Sequence, residues 1–215
     1  MYFNENTIYR LEKKRSPFQF FTDRFFFFLI CLIPSKATRR IGLTPLDEER
    51  LIYAFRYLKG KVLDVGCGDN TLIKSYGNGI GVDVYPWEGV DILIKDPSDL
   101  PFDDGSFDTV TFIASLNHIR NREDALREAN RVLRPGGLLV ISMINPVISI
   151  IAHKVRYRYD PDQHERGLVK GEAYGFWKCD LIRLLQKANF SYLYSKKFLY
   201  GLNRIYLAEK NEDKR

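Results

Sequence analysis

From residue 60 onward the chain alternates short apolar runs with amphipathic stretches. The runs predict strands near 61–66, 80–84, 90–95, 107–114 and 137–144. Helices are predicted near 70–76 and 121–134, the second with Ala125, Leu126, Ala129, Val132 and Leu133 on one side. Such alternation implies a parallel sheet covered on both faces, with the loops that follow the strands gathered at one edge. A helix over 176–190 and strands near 191–199 and 203–209 close the pattern. Upstream, Leu46, Leu51, Ile52, Phe55 and Leu58 form one helical side, with Thr44 as the expected N-cap and Pro45 in the first turn. The stretch 77–97 is too short for two full crossovers. One face of the sheet is therefore expected to lack cover, and the apolar N-terminal segment is a candidate to supply it. Residues 146–175, polar and aromatic, interrupt the alternation.

Chemistry concentrates where two of the runs end. Asp64-Val65-Gly66-Cys67-Gly68 places an acid and two glycines at the end of the first run, and Ile80-Gly81-Val82-Asp83 ends the second in another acid. Glycines there let a backbone approach a nucleotide-like ligand without a Cβ in the way. The dinucleotide fingerprint fails at its third position, Thr71, and no phosphate loop with Gly-Lys-Ser or Gly-Lys-Thr is present. An ordinary strand-to-helix turn would carry the same two glycines, so the further segments decide.

Asp64-x-Gly66-x-Gly68 resembles the first motif of the Rossmann-like, class I S-adenosylmethionine-dependent methyltransferases. Lys95-Asp96-Pro97-Ser98-Asp99-Leu100-Pro101-Phe102 resembles their adenine loop. Ser106-Phe107-Asp108 with the apolar run to Phe112 resembles their fourth strand, and Arg131-Val132-Leu133-Arg134-Pro135-Gly136-Gly137 the turn before their fifth. The resemblance implies an α/β fold: a doubly wound, mostly parallel seven-stranded sheet with a C-terminal antiparallel hairpin and an N-terminal helical extension. It divides the chain into an extension over 1–59 and a donor-binding domain over 60–210 with an insertion at 146–175. It implies S-adenosylmethionine as cofactor. Asp64, Gly66, Cys67 and Gly68 would surround the methionine moiety, Asp83 the ribose hydroxyls, and Asp96 and Pro97 the adenine, with Asp99 as an alternative contact. Ile113 and Ser115 would end the fourth strand beside the donor. Many relatives have a third glycine where this chain has Asn70, which tolerates a left-handed backbone. His118 follows the fourth strand and is the candidate general base, with a histidine that only shapes the pocket as the other reading. His164, Tyr157 and Tyr159 are weaker candidates, and Trp87 is placed either at the adenine or over the sheet.

Composition bounds the rest. With 215 residues, one domain with a sizeable core is expected. Cys31, Cys67 and Cys179 are far apart and odd in number, and the three histidines form no ligand spacing. A cytoplasmic, reducing location without a disulfide framework or metal site follows as the expectation. Of the net +6, residues 1–40 supply +5, eight basic side chains against three acids. Such an arm suits an anionic surface, which keeps a peripheral membrane contact through residues 1–40 in view alongside a plainly solvated terminus. Within it, Phe25 to Ile33 is an apolar run of nine, short of the ~20 residues a membrane helix needs. The preferred reading is a buried helix or lid, the other a segment lying in a membrane interface. A small-molecule or lipid-like acceptor is expected. RNA or protein methylation is the alternative, with nucleic acid disfavoured by the lack of a recognition domain. A non-catalytic partner of the same fold is the third.

Overall fold

In the computed structural model, which describes residues 16–27, 30, 33–147, 149–150 and 175–211, the sheet is built by every run read as a strand. The strands are β1 (Val62–Val65), β2 (Gly79–Asp83), β3 (Ile92–Leu93), β4 (Phe107–Ile113), β5 (Leu133–Ile144), β6 (Phe190–Phe198) and β7 (Asn203–Lys210). Their order is β3-β2-β1-β4-β5-β7-β6. The first five run parallel, and β7 is antiparallel to both β5 and β6. Only β3, two residues long, is much shorter than its apolar run suggests. Because β1 pairs with β2 on one side and β4 on the other, the chain reverses its direction of travel across the sheet at β1. At such a switch the loops leaving adjacent strands part, and a crevice opens beyond their carboxyl ends.

The described helices are α1 (Pro17–Phe25), α2 (Ser35–Arg40), α3 (Leu46–Phe55), α4 (Thr71–Tyr76), α5 (Arg122–Val132) and α6 (Lys178–Lys187). Alternating strand residues feed two cores. Leu63, Val65, Leu139, Ile141 and Tyr206 meet α5 and α6 through Leu126, Ala129, Leu181 and Leu185. Val62, Val140, Ile205 and Leu207 meet α3 and α4 through Leu46, Ala54, Leu72 and Ile73, and this second core also takes in Ile30 and Leu43. The N-terminal segment therefore does contribute cover, and the boundary expected at 59–60 is crossed by one continuous core.

The apolar run from Phe25 to Ile33 does not act as a unit. Ile30 is 1 % exposed, whereas Phe25 is 70 % and Phe26 42 % exposed. Phe28, Leu29, Cys31 and Leu32 lie outside the described residues, as do Tyr157, Tyr159 and His164. A second correction concerns Thr44. The N-cap of α3 is Pro45, and the Thr44 hydroxyl instead donates to Asp23 Oδ2 at 2.8 Å. Asp23 is fully buried, and its Oδ1 accepts the Thr44 backbone N–H at 2.9 Å. A carboxylate buried without donors is costly, and Thr44 supplies two. Among the described residues no helix is long and apolar enough to cross a membrane.

Candidate functional site

The turn after β1 is shaped by close approach. Gly66 has φ +75°, and a Cβ there would lie 2.4 Å from Ser115 Cβ, so the end of β4 presses directly on it. Its N–H and that of Cys67 both donate to Val82 O, at 2.8 and 3.1 Å, which binds the turn to β2. Gly68, at φ +55°, has open space where a Cβ would stand. Asn70 is left-handed at φ 61°, as its residue type allows. It also does something a glycine could not. Its Nδ2 donates to Gly89 O at 3.0 Å and to Asp91 Oδ2 at 2.8 Å, tying the turn to the β2–β3 loop. Room for that side chain comes from Gly81, where a Cβ would meet Asn70 Oδ1 at 2.0 Å.

Two cavities flank this turn and share Gly66. The larger, about 270 Å³, is lined by Asp83, Ile94, Asp96, Pro97, Ser115 and His118, with Val84, Lys95, Ile119, Arg120 and Asn121 around them. The smaller, about 150 Å³, is lined by Asp47, Arg50, Asp64, Cys67, Asp69 and Ile113, with Leu51, Thr71 and Leu72. Nine of the eleven residues proposed from sequence thus line one cavity or the other. Gly68 instead touches the site through its backbone, donating to Asp83 Oδ2 at 2.9 Å. Asp99 is not brought in: it is exposed and lines neither cavity. Asp96 explains why. Its Oδ1 accepts Ser98 N and Ser98 Oγ at 2.8 Å and Asn121 Nδ2 at 3.0 Å, and these bonds hold its carboxyl below the usual range. The tight turn so formed points the chain away before Asp99. Trp87 lies over Tyr85, ring centroids 4.4 Å apart, and likewise lines neither cavity.

The far side of the loop over 95–102 is clamped to α5. Glu128 Oε2 accepts Leu100 N at 3.1 Å, while the Arg131 guanidinium donates to Leu100 O at 3.0 Å and Phe102 O at 2.7 Å. This loop is therefore pre-positioned rather than waiting on a ligand.

The electrostatics differ across the turn. Asp64 is buried, and desolvation pushes its carboxyl up to about 7; the Thr111 hydroxyl, donating at 2.6 Å, opposes that shift, and Asp83 and Asp69 add to it. Burial likewise raises the Cys67 thiol, with Asp64 and Asp83 adding, so it stays neutral and is no nucleophile. Such a pocket of acids favours a ligand that brings positive charge. Asp83 spends one lone pair of each oxygen on backbone, Oδ2 on Gly68 and Oδ1 on Tyr85 N at 3.0 Å. A carboxylate oxygen retains further acceptor capacity, so a pair of ribose hydroxyls can still be received. His118 Nε2 lies 2.9 Å from Asn117 Nδ2. An amide donating there makes Nε2 the acceptor and puts the proton of a neutral ring on Nδ1.

Sequence reading missed Asp47, Arg50 and Leu51. They sit on α3, upstream of every recognisable motif, and only the second core brings them to Gly66. The fit to a nucleoside-bearing amino acid is good: an open glycine turn between acids, a ribose-type acid and a pre-formed base loop.

Comparison with known proteins agrees with this geometry. A methyltransferase-domain family matches residues 63–141. A demethylmenaquinone methyltransferase of Staphylococcus carnosus is 28% identical over 199 residues, covering 77% of this chain and 83% of its own. A ubiquinone/menaquinone biosynthesis C-methyltransferase of Pseudomonas fluorescens is 30% identical over 115 residues, 43% of this chain and 45% of its own. Among solved structures, an S-adenosylmethionine-dependent methyltransferase of Thermotoga maritima superposes with TM-score 0.58 at 18% identity, covering 90% of this chain and 98% of its own. The matched segment runs from β1 into β5 and carries the whole motif series, so residues 63–141 are a methyltransferase domain, and the fold and motifs are those of a class I, Rossmann-like S-adenosylmethionine-dependent methyltransferase with that metabolite as methyl donor.

Proposed function

We propose that the enzyme methylates a small, lipid-like acceptor of the kind its quinone-modifying relatives act on. The observation that carries this reading is the extent of the likeness to the demethylmenaquinone methyltransferase. It covers 77% of this chain, far beyond the donor segment alone. S-adenosylmethionine supplies a methyl group on a sulfonium that a nucleophile displaces in line. The protein's part is then chiefly alignment, which is worth up to roughly 7–11 kcal/mol of barrier in well-oriented reactants.

In this reading the adenosine occupies the cavity of Asp83, Asp96 and Pro97. The amino-acid end lies in the cavity of Asp64, where its ammonium meets the acids and its carboxylate meets Arg50. The methyl group then falls beside Ile113 and Ser115. His118, with Nε2 engaged by Asn117, borders the same cavity and shapes it beside the methyl position rather than removing a proton. The insertion's two ends support a nearby acceptor site. Gly175 packs on the end of β5, where a Cβ would lie 2.8 Å from Ile144 O, and Val147, Ile150 and Trp177 beside these ends are exposed apolar side chains.

The test is transfer of labelled methyl from S-adenosylmethionine to a panel of reduced demethylated quinols, beside RNA and protein fractions of a cell extract. Label in the quinol is the expected result. Label confined to RNA or protein would overturn the acceptor assignment and leave the donor assignment standing.

A further inference from the structure

Helix α1 is built inside out. Gln19 and Asp23, four residues apart, face the protein. Gln19 Nε2 donates to Gly42 O and to Asp23 Oδ1, both at 2.9 Å, and Asp23 holds Thr44. Phe18, Phe21 and Phe25 lie at helical spacing on the opposite side and are 76 %, 66 % and 70 % exposed. With Phe20 and Phe26, five of the thirteen exposed large apolar side chains among the described residues fall within this one short segment. Ile41, next to the Gly42 that Gln19 grips, is exposed as well. A surface helix of a globular protein ordinarily turns such rings inward, so a contiguous outward patch marks a contact.

The charge around the patch points to what it contacts. Between residues 16 and 44 the cations are Arg24, Lys36, Arg39 and Arg40, and the sole carboxylate is the buried Asp23. Lys36 and Arg40 are exposed, while Arg39 is engaged with Asp47 and Glu48 of α3. An aromatic face in a segment whose exposed charges are lysine and arginine matches an anionic lipid surface, where the rings enter the headgroup region and the cations meet phosphate. We propose that α1 lays its phenylalanine face on an anionic bilayer while Gln19 and Asp23 keep it fastened to the catalytic domain. Helix α2, which carries Lys36 and Arg40, is in turn bonded to the wall of the crevice. Ser35 Oγ donates to Asp47 Oδ1 at 2.8 Å, and Asp47 lines the cavity that holds Gly66. The proposal goes beyond the acceptor assignment, since it concerns where the protein sits, whatever it methylates.

Co-sedimentation of the full chain with vesicles tests it without catalysis. Vesicles of equal phosphatidylglycerol and phosphatidylcholine are compared with phosphatidylcholine alone, at low and high salt. Pelleting with the anionic vesicles is expected, weakened by salt. Replacing both rings, Phe21→Ser with Phe25→Ser, is expected to weaken it about a hundredfold, roughly tenfold for each ring kept from the lipid. Lys36→Glu with Arg40→Glu retains every ring and is expected to abolish the preference for anionic vesicles. Binding of S-adenosylhomocysteine should be unchanged in both, confirming the fold. Absence of pelleting by the wild type, or pelleting indifferent to either pair of substitutions, would overturn the proposal. A wild-type dimer in lipid-free sedimentation that the serine substitutions dissociate would do the same, assigning the face to a second copy of the chain.

Discussion

Asp83 Oδ2 accepts the backbone N–H of Gly68 at 2.9 Å, so the acid that ends β2 fixes the turn that follows β1. One side chain thus shapes the glycine turn and lines the cavity in which the ribose is proposed to sit. Asp83→Ala removes both contributions. Hydrogen bonds to a charged group contribute about 1.5–3 kcal/mol, so donor affinity is expected to fall by about 10- to 150-fold. Calorimetry with S-adenosylhomocysteine measures it, and wild-type affinity in the variant would refute the ribose role.

Gly66 and Ser115 are in steric contact through a Cβ that is absent. Gly66→Ala places a methyl 2.4 Å from Ser115 Cβ at a backbone angle of +75°, so both donor binding and stability should suffer. Adding Ser115→Gly removes the clash but not the backbone strain. Partial recovery of the thermal midpoint in the double variant is expected; strictly additive losses would show that the two residues do not press on each other.

The raised Asp64 carboxyl makes donor binding pH-dependent. Between its ordinary 3.8 and about 7, the folded protein holds a proton that the unfolded chain has released. Stability of the ligand-free enzyme therefore falls as pH rises through that window, and Asp64→Asn flattens the slope. A donor ammonium favours the ionised form, so affinity for S-adenosylhomocysteine should rise with pH up to about 7 and then level off. Titrations from pH 5.5 to 8 in buffers of different ionisation heat would detect the released proton. A flat profile would exclude Asp64 as the group facing the amino-acid moiety.

Arg50 is tested by a ligand that lacks the group it is proposed to hold. Arg50→Met should weaken S-adenosylhomocysteine at least about tenfold, the loss expected for one charge-assisted hydrogen bond. Affinity for 5′-methylthioadenosine, which has no carboxylate, should be unchanged. Equal loss for both ligands would make Arg50 a structural residue.

Ile30 and Phe21 should separate core from surface within one segment. Ile30→Ala empties a fully buried site and is expected to cost about 2–5 kcal/mol. Phe21→Ser, at an exposed position, should stay within about 0.5 kcal/mol in the absence of lipid. Denaturant unfolding of both variants checks this, and similar midpoints would contradict the division of the apolar run.

Apolar runs located β1, β2, β4 and β5, whose residues feed cores on both faces of the sheet, and helical spacing located α5 and α6, which each bury one side. The acids at the strand ends were legible for a related reason: Asp64 and Asp83 sit inside apolar runs where a charge has no local use. Asn70 was legible as a left-handed residue, but its bonds to Gly89 and Asp91 join positions about twenty residues apart that no local pattern connects. Asp99 was indistinguishable from Asp96 in sequence, since two acids three residues apart differ only once a turn sets their directions.

What the chain's residues determined unaided is the alternating sheet and the motif-lined half of the crevice, since both follow from local periods and short motifs. The tertiary structure decided the other half. It brought Arg50 and Asp47 on α3 to the glycine turn, spent Thr44 on Asp23 instead of on a helix end, and sent Ile30 inward while leaving Phe25 outside. Hydrophobicity along a chain says that a residue gains by leaving water. Which surface receives it depends on the faces left uncovered by the rest of the fold, and those exist only after the sheet has formed.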